Sequence, residues 1–166
     1  MYRTVHDFLK AWAWEIESTL KLLDQLTDES LDQQVSPDGR SLGRIAWHIT
    51  QTLPEMCNRT QLAVTGPAED DPIPGSASEI SSAFKAAAES LGAQIEAHWT
   101  DETLDAEDDM YGERWTRGQT LVALVGHQNH HRGQMTVLMR QAGLKVSGIY
   151  GPSKEEWSEY GMPPQD

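Results

Sequence analysis

Cysteine and long apolar runs are almost absent from this sequence. Cys57 is the only cysteine in 166 residues, which excludes an internal disulfide and predicts a reducing, cytoplasmic location. No apolar run approaches the roughly 20 residues that a membrane-spanning helix needs. The N-terminus also shows no basic-then-apolar leader, so we expect no signal peptide and no membrane association.

Cationic side chains are also scarce. Thirteen Lys and Arg residues stand against 26 Asp and Glu residues, for a formal net charge of −13. Such a surface repels a phosphate backbone, so nucleic-acid binding is not expected. The acidic residues partly cluster at 68–71 and at 101–109, between the helical patterns. We predict that both segments are solvated loops.

Strand patterns are weak throughout, whereas apolar residues recur at helical spacing in four stretches. These stretches predict helices at 4–26, 41–64, 76–99 and 116–142. Pro54 should kink the second helix, and Ser153 with Glu156 should cap a short helix in the C-terminal tail. The sequence therefore predicts an all-α fold, a four-helix bundle with a C-terminal tail containing a short helix. Residues 1–166 are expected to form a single domain.

Residues with the spacing of capping boxes mark several helix ends. Thr116 with Gln119 is expected to begin the fourth helix, and Ser76 with Glu79 the third. Gly143 is expected to end the fourth helix in the left-handed conformation that glycine adopts at little cost.

The stretch 126–134, GHQNHHRGQ, places imidazoles on the apolar stripe of the fourth helix. At about 100° per residue, His131 falls about 40° from His127, so both stand in the middle of the inward stripe. His130 lies on the flank of the stripe, and Arg132 points well away from it. Two histidines one turn apart on a helix are a common way to present two nitrogens to one metal ion.

A third metal ligand has to come from another helix. His48, in RIAWHITQTL, lies among apolar residues at the inward edge of the second helix and is the best candidate. Three imidazoles with an open coordination position describe a catalytic metal site. The alternative stays open at this point, because buried histidines are often hydrogen-bonded core residues. Gln134 shares the stripe and is expected to support a histidine or to line the pocket.

Other residues carry weaker signals. Cys57 lies about 180° round the second helix from His48, so we expect a thiol in the core or at the surface and not a nucleophile. His6 and His98 stand alone in the sequence and are expected to be structural. Gly133 costs about 1 kcal/mol of helix stability relative to alanine, which predicts the close approach of a neighbouring helix or a ligand.

With RSLGRIAWHI on the second helix and HQNHHRGQMTVLMRQAGL on the fourth, the chain resembles the DinB/YfiT-like superfamily of metal-binding four-helix bundles. The element H-x-x-x-H-R-G-Q and the ending SGIYGPSKEEW are similar to that family's pattern, and the likeness covers essentially the whole chain. The resemblance implies that His48, His127 and His131 are the metal ligands, and it gives His130 no ligand role. The tail around Tyr150 and Trp157 is expected to fold over the bundle end near this site.

The resemblance implies a class of reaction and not a particular substrate. Characterised relatives include thiol-S-transferases that use bacillithiol or mycothiol and a mycothiol-dependent maleylpyruvate isomerase. We therefore expect a metal-dependent transferase that joins a low-molecular-weight thiol to an electrophile. A metal-dependent hydrolase and a non-catalytic metal-binding stress-response protein are the alternatives. The ligand type favours zinc, with nickel, iron or manganese as other choices, and the family implies a homodimer.

Overall fold

The computed structural model of the protein describes residues 2–164 and shows the four-helix bundle that the sequence predicts. The helices are α1 (Val5–Leu23), α2 (Leu42–Cys57), α3 (Ala77–His98) and α4 (Arg117–Gln141). A short antiparallel hairpin, β1 (Glu107–Met110) and β2 (Glu113–Thr116), lies between α3 and α4 in the chain. No helix within residues 2–164 is both long and apolar enough to cross a membrane.

The helices form a ring in the order α1, α3, α2, α4, because α1 and α2 each pack chiefly against α3 and α4. Helices α1 and α2 therefore lie on a diagonal of the bundle, although they follow one another in the chain. Every helix contributes to one apolar core, as the fully buried residues Phe8, Ile49, Phe84 and Leu124 show. This arrangement places α2 directly beside α4.

Of the two capping boxes predicted for α3 and α4, the structure shows the one at the start of α4. Thr116 and Gln119 form the expected capping box: the Thr116 hydroxyl accepts from the Gln119 amide at 3.2 Å, and the Gln119 side chain accepts from the Thr116 amide at 2.8 Å. The box predicted at Ser76 is wrong, since Ser76 makes no capping hydrogen bond within the described chain. A carboxylate from a distant segment takes its place, because the Ala77 amide donates to Asp28 at 2.8 Å.

Helix α2 ends at Cys57 and not at Val64, where its periodicity predicts the end. Gln61 adopts a left-handed conformation at φ 65°, which reverses the chain. The side chain of Asn58 holds this reversal by pairing with both backbone groups of Val64, at 2.7 Å to the nitrogen and 3.1 Å to the oxygen. Pro54 therefore lies in the last turn of α2 and not in the middle of a longer helix.

The hairpin replaces part of the solvated loop predicted at 101–109, so that prediction is wrong for this segment. Its two central residues, Tyr111 and Gly112, both have positive φ, as the tight type I′ hairpin turn requires. Asp108 is buried, and its carboxylate pairs with Arg117 at 2.7 Å, which offsets the cost of removing the charge from water. This ion pair joins the hairpin to the first residue of α4.

The tail after α4 contains the predicted short helix, as a 3₁₀ helix at Trp157–Tyr160. Gly143 ends α4 in the left-handed conformation at φ 75°, as predicted. The capping role predicted for Ser153 and Glu156 is wrong, since no side-chain hydrogen bond caps the short helix within the described chain. The two residues pair in the turn that precedes it, where the Ser153 amide donates to the Glu156 carboxylate at 2.9 Å. The same carboxylate accepts from the Gly148 amide at 3.0 Å, so Glu156 organises the tail.

Candidate functional site

Three imidazoles meet where α2 packs against α4. His48 comes from α2, and His127 and His131 come from successive turns of α4. The Nε2 atom of His127 lies 3.2 Å from Nε2 of His48 and 3.0 Å from Nε2 of His131. The structure thus brings together the three histidines that the sequence singles out, and we call them the histidine triad.

The spacing of the histidine triad fits a single metal ion. The ligand nitrogens all lie within 4.8 Å of one another, so the group could hold one ion. Tetrahedral sites with Zn–N distances of about 2.0–2.1 Å place their nitrogens about 3.3 Å apart. The observed Nε2 separations of 3.0 and 3.2 Å come close to that value. His48 and His127 are half-buried, so the site stays open to small molecules.

Gln134 orients one histidine of the triad. Its side-chain oxygen lies 2.7 Å from Nδ1 of His131, so Nδ1 carries the hydrogen and Nε2 keeps its lone pair. The supporting role predicted for Gln134 is confirmed by this contact. Nδ1 of His127 is buried and has no hydrogen-bond partner in the described chain. The two histidines of α4 are therefore held differently.

The surroundings of the histidine triad favour uncharged imidazoles, because they lower the pKa of each histidine. Burial, followed by the positive field of the neighbouring imidazoles and of Arg40, lowers the pKa of His48 and that of His127 to about 4. Burial also lowers the pKa of His131, although its hydrogen bond to Gln134 opposes the change. Neutral imidazoles present lone pairs, which is the form that binds metal ions.

A buried amide fixes α4 against α2 beside the triad. Gln128 is 1% exposed, and its side-chain nitrogen donates to the backbone oxygen of Ile49 at 2.8 Å. Because Gln128 follows His127 and Ile49 follows His48, this single hydrogen bond fixes how the two helices bring their histidines together. Gln128 occupies the position between the two α4 histidines where zincin helices carry a catalytic glutamate, and here it serves packing.

Two cavities flank the histidine triad. The larger one, of about 420 Å³, contacts His131 and Gln134. The smaller one, of about 200 Å³, contacts His48. Arg40 lines both cavities, and Arg44 lines the smaller one. Small molecules can therefore approach the triad from two directions.

Sequence patterns missed the two arginines of the site. Arg44 lies in the first turn of α2, four residues before His48, so the helix places these two side chains on one side. That i, i+4 relation is the signal that could have found Arg44, whereas Arg40 precedes the helix and has no such signal. The side chain of Arg44 donates to Gln51 at 3.0 Å, which keeps it beside the smaller cavity.

The acidic loop at 68–71 borders the smaller cavity. The Gln51 side chain donates to the backbone oxygens of Ala68 at 2.7 Å and of Glu69 at 3.0 Å. These hydrogen bonds hold the loop against α2 although its residues are exposed, as predicted. Glu69 and Glu55 both line the smaller cavity, which gives that cavity charges of both signs.

The remaining candidates lie outside the triad. Cys57 is 1% exposed, and burial raises the pKa of its thiol to about 12, which confirms a core thiol. His6 and His98 are exposed. His130 is exposed as well, and its ring centroid lies 4.9 Å from that of His131. A Cβ atom on Gly133 would meet nothing within 4 Å, so the predicted close approach of a neighbouring helix is wrong, whereas that of a ligand stays a prediction.

Arg132 points away from the histidine triad, as predicted, and enters the interface between α4 and α1. It is 3% exposed, pairs with the carboxylate of Glu15 and donates to the Thr19 hydroxyl at 3.1 Å. Tyr150 of the tail donates to Glu15 at 3.1 Å and packs on Trp14, with ring centroids 4.9 Å apart. These contacts fix the tail against α1. The expectation that Tyr150 lies near the histidine triad is therefore wrong.

The comparison of sequences gives a whole-chain match. The profile of the DinB family matches residues 1–165. The uncharacterized protein YrdA of Bacillus subtilis (strain 168) is 46% identical over 162 residues, which cover 98% of this chain and 97% of that protein.

Solved structures repeat the fold. A DinB-like protein from Bacillus cereus ATCC 10987 is 45% identical, with a TM-score of 0.88 over 90% of this chain and 100% of that chain. The DinB-like protein YjoA from Bacillus subtilis has a TM-score of 0.68 over 87% of this chain and 98% of that chain. Its identity is 18%, so this second likeness concerns the fold alone.

Proposed function

This chain belongs to the DinB family, and on that basis we propose that it binds one divalent metal ion through His48, His127 and His131. We propose further that it is a metal-dependent transferase, which joins a low-molecular-weight thiol to an electrophile. The observation that carries the proposal is the convergence of three Nε2 atoms, at 3.0 and 3.2 Å, beside two open cavities.

Zinc is the metal we propose, with nickel, iron and manganese as alternatives, because imidazole ligands suit several divalent ions. Three neutral imidazoles leave the charge of the ion uncompensated, which favours an anionic partner in the open position. When bound, the ion would act as a Lewis acid that lowers the pKa of a thiol or of water held beside it.

The protein's own residues perform the remaining tasks. Gln134 holds the ring of His131 in one tautomer, and Gln128 keeps α2 and α4 in register. The larger cavity would hold the electrophile beside His131, and the smaller cavity would hold the polar part of the thiol beside His48. Open cavities on both sides favour a reactive site over a closed structural metal site.

Elemental analysis tests the metal part of this proposal. Protein purified without added metal and without a histidine tag is expected to carry about one equivalent of a transition metal. His48→Ala and His131→Ala should each lose it, because both remove a ligand. His130→Ala is the matched control, since it deletes an exposed imidazole next to His131 and should retain the metal. Wild-type protein that stays metal-free and takes up no zinc on titration would overturn the proposal.

Kinetic assays test the reaction. Consumption of a chromogenic aromatic halide is expected with at least one of bacillithiol, mycothiol and glutathione, and is expected to be lost in His131→Ala. A metal-loaded protein that is inert with all three thiols would reject the transferase. Thiol-independent cleavage of a nitrophenyl ester, lost in the same variant, would support the hydrolase instead. Metal retention with neither reaction would leave a non-catalytic metal-binding protein.

We propose a cytoplasmic homodimer as the working form. A lone buried thiol suits a reducing compartment. Several apolar side chains are exposed, among them Trp14 at 39% and Ile73 at 41%, and association would remove such surface from water. Light scattering in solution is expected to give twice the chain mass of 18.5 kDa. A mass of a single chain at micromolar concentration would reject the dimer.

A further inference from the structure

The larger cavity beside the histidine triad is apolar on most of its wall. Ile45 of α2, Leu138 and Val137 of α4 and Val35 of the loop before α2 supply this surface. Val35 is 65% exposed and Val137 is 52% exposed. These two side chains extend the apolar surface from the core out to the cavity mouth. Such a wall suits a ligand with an apolar body.

One cation stands at the polar end of the same cavity. Arg40 is exposed and makes no hydrogen bond and no ion pair within residues 2–164. An unpaired arginine stands out in a chain with 26 acidic residues and 13 basic ones. By contrast, the guanidinium of Arg44 donates a hydrogen bond to the side chain of Gln51. The guanidinium of Arg40 is therefore available to a ligand.

No carboxylate among the described residues lines the larger cavity. The smaller cavity differs, because Glu55 and Glu69 line it together with Arg40 and Arg44. The larger cavity thus combines an apolar wall with a single uncompensated positive charge. A guanidinium binds a carboxylate through two parallel hydrogen bonds, which makes it the usual partner for that group.

We propose that the larger cavity binds a small organic carboxylate with an apolar body, and that Arg40 recognises its carboxylate. The apolar body lies against Ile45 and Val137, and its inner end reaches His131 and Gln134. This inference rests on the proposed function, because it defines the class of electrophile that the histidine triad would act on. The volume of about 420 Å³ sets the size of that substrate to a small molecule.

A pair of probes of equal shape tests the role of Arg40. The probes are 4-phenylbutyrate and its neutral analogue 4-phenylbutyramide, and their affinities are measured by chemical-shift titration of the metal-free full-length chain. The carboxylate is expected to bind roughly tenfold more tightly than the amide, which corresponds to about 1.4 kcal/mol, since only the carboxylate accepts charge-assisted hydrogen bonds from Arg40 at both oxygens. Arg40→Gln should abolish this preference and leave amide binding unchanged. Arg3→Gln, which removes an equal charge from an exposed position, should preserve it.

A second pair of variants tests the apolar wall. Val137→Asp places a carboxylate at the cavity mouth and is expected to weaken both probes. Val122→Asp is the matched control, because Val122 is also exposed on α4 but lines a different cavity, beside Trp115. The control should leave both affinities unchanged. If instead Val122→Asp weakens the probes, the ligand occupies the other cavity and the assignment is wrong.

The outcomes separate this inference from the proposed function. Equal binding of acid and amide, a preference that survives Arg40→Gln, or no binding of either probe would overturn the inference. A preference seen only after metal loading would overturn it too, because the ion and not Arg40 would then hold the carboxylate. None of these results removes metal binding. Conversely, a chain that never binds metal but prefers the acid through Arg40 would retain the carboxylate site and lose the proposed function.

Discussion

The hydrogen bond from His131 to Gln134 shows how one side chain can set the donor atom of another. The 2.7 Å contact places the hydrogen on Nδ1 and leaves Nε2 facing the other imidazoles. His127 has no such partner for its buried Nδ1 in the described chain. At the scale of single residues, His131 is therefore the better oriented of the two α4 histidines.

Removal of this support is predicted to weaken metal binding. Gln134→Leu should lower the affinity for zinc by about 10- to 100-fold, which is the usual effect of losing a hydrogen bond to a metal-ligating histidine. Gln134→Glu should retain the affinity, because a carboxylate accepts the same hydrogen bond. Competition with a chromophoric chelator measures both variants. An unchanged affinity in Gln134→Leu would show that packing alone orients His131.

The pKa values of the triad predict how acid affects the metal-free protein. The pKa of His48 and that of His127 fall from 6.5 to about 4 on folding. Between these values the unfolded chain binds more protons than the folded chain, so the free energy of unfolding decreases as the pH is lowered. The stability that comes from keeping these imidazoles uncharged is fully present above pH 6.5 and is lost as the pH falls towards 4.

Urea unfolding at several pH values, with a chelator present, checks this dependence. His48→Ala should lose less stability than the wild type between about pH 7 and about pH 4.5, since one titrating imidazole has been removed. His6→Ala serves as the control, because His6 is exposed and far from the triad in sequence. In His6→Ala the free energy of unfolding should depend on pH as it does in the wild type. Equal slopes in all three proteins would contradict the assigned pKa values.

At the scale of elements, the bundle depends on a few polar contacts between helices as well as on its apolar core. The ion pair of Glu15 and Arg132 joins α1 to α4, and Tyr150 ties the tail to the same point. The ion pair of Asp108 and Arg117 joins the hairpin to α4. Helix α4 is thus held on both sides of the turns that carry His127 and His131.

Loss of one member of the buried pair is predicted to be costly. Glu15→Ala should reduce the free energy of unfolding by about 3–5 kcal/mol, because it leaves the Arg132 guanidinium buried without its counter-charge. Urea denaturation measures the change. Arg3→Ala, which breaks the exposed pair with Asp7, should cost less than about 1 kcal/mol.

A double replacement gives a stricter test of the same contact. Glu15→Leu with Arg132→Met removes both charges and should recover much of the stability lost in Glu15→Ala, because no buried charge is then left unpaired. If the double variant is no more stable than Glu15→Ala, the loss comes from the surrounding hydrogen bonds and not from the stranded charge.

For the whole molecule, metal binding is predicted to stabilise the fold. A ligand that binds only the folded state, at a free concentration 100 times its dissociation constant, raises the free energy of unfolding by about 2.7 kcal/mol. Zinc should therefore shift the urea midpoint upwards in the wild type and in His130→Ala. It should have no such effect in His48→Ala. A shift of equal size in His48→Ala would indicate binding elsewhere.

Local patterns predicted most of the fold and the core of the site. Helical periodicity located all four helices, and the i, i+4 spacing of His127 and His131 made them a pair. These features depend on neighbours within one or two turns, which a sequence displays directly. His48 could be named as a partner because few polar residues interrupt its apolar surroundings.

The features that the sequence did not predict depend on contacts between distant segments. The end of α2 is set by the pairing of Asn58 with Val64 around a reversed chain. The hairpin contains the acidic strand EDDM, whose local propensity is poor. Within it, Asp108 pairs with Arg117 of α4. The position of Arg40 at the site depends on how α2 packs against α4. No local pattern reports such contacts.

The diagonal order of the helices has a consequence for how the protein is made. His48 and His127 are separated by 79 positions in the chain, so the N-terminal half emerges from the ribosome with a single member of the triad. The site cannot assemble until α4 docks against α2, after nearly the whole chain has been synthesised. If the triad binds a metal ion, only a chain that includes α4 could bind it. A chain truncated before α4 would expose apolar surface and would lack His127 and His131.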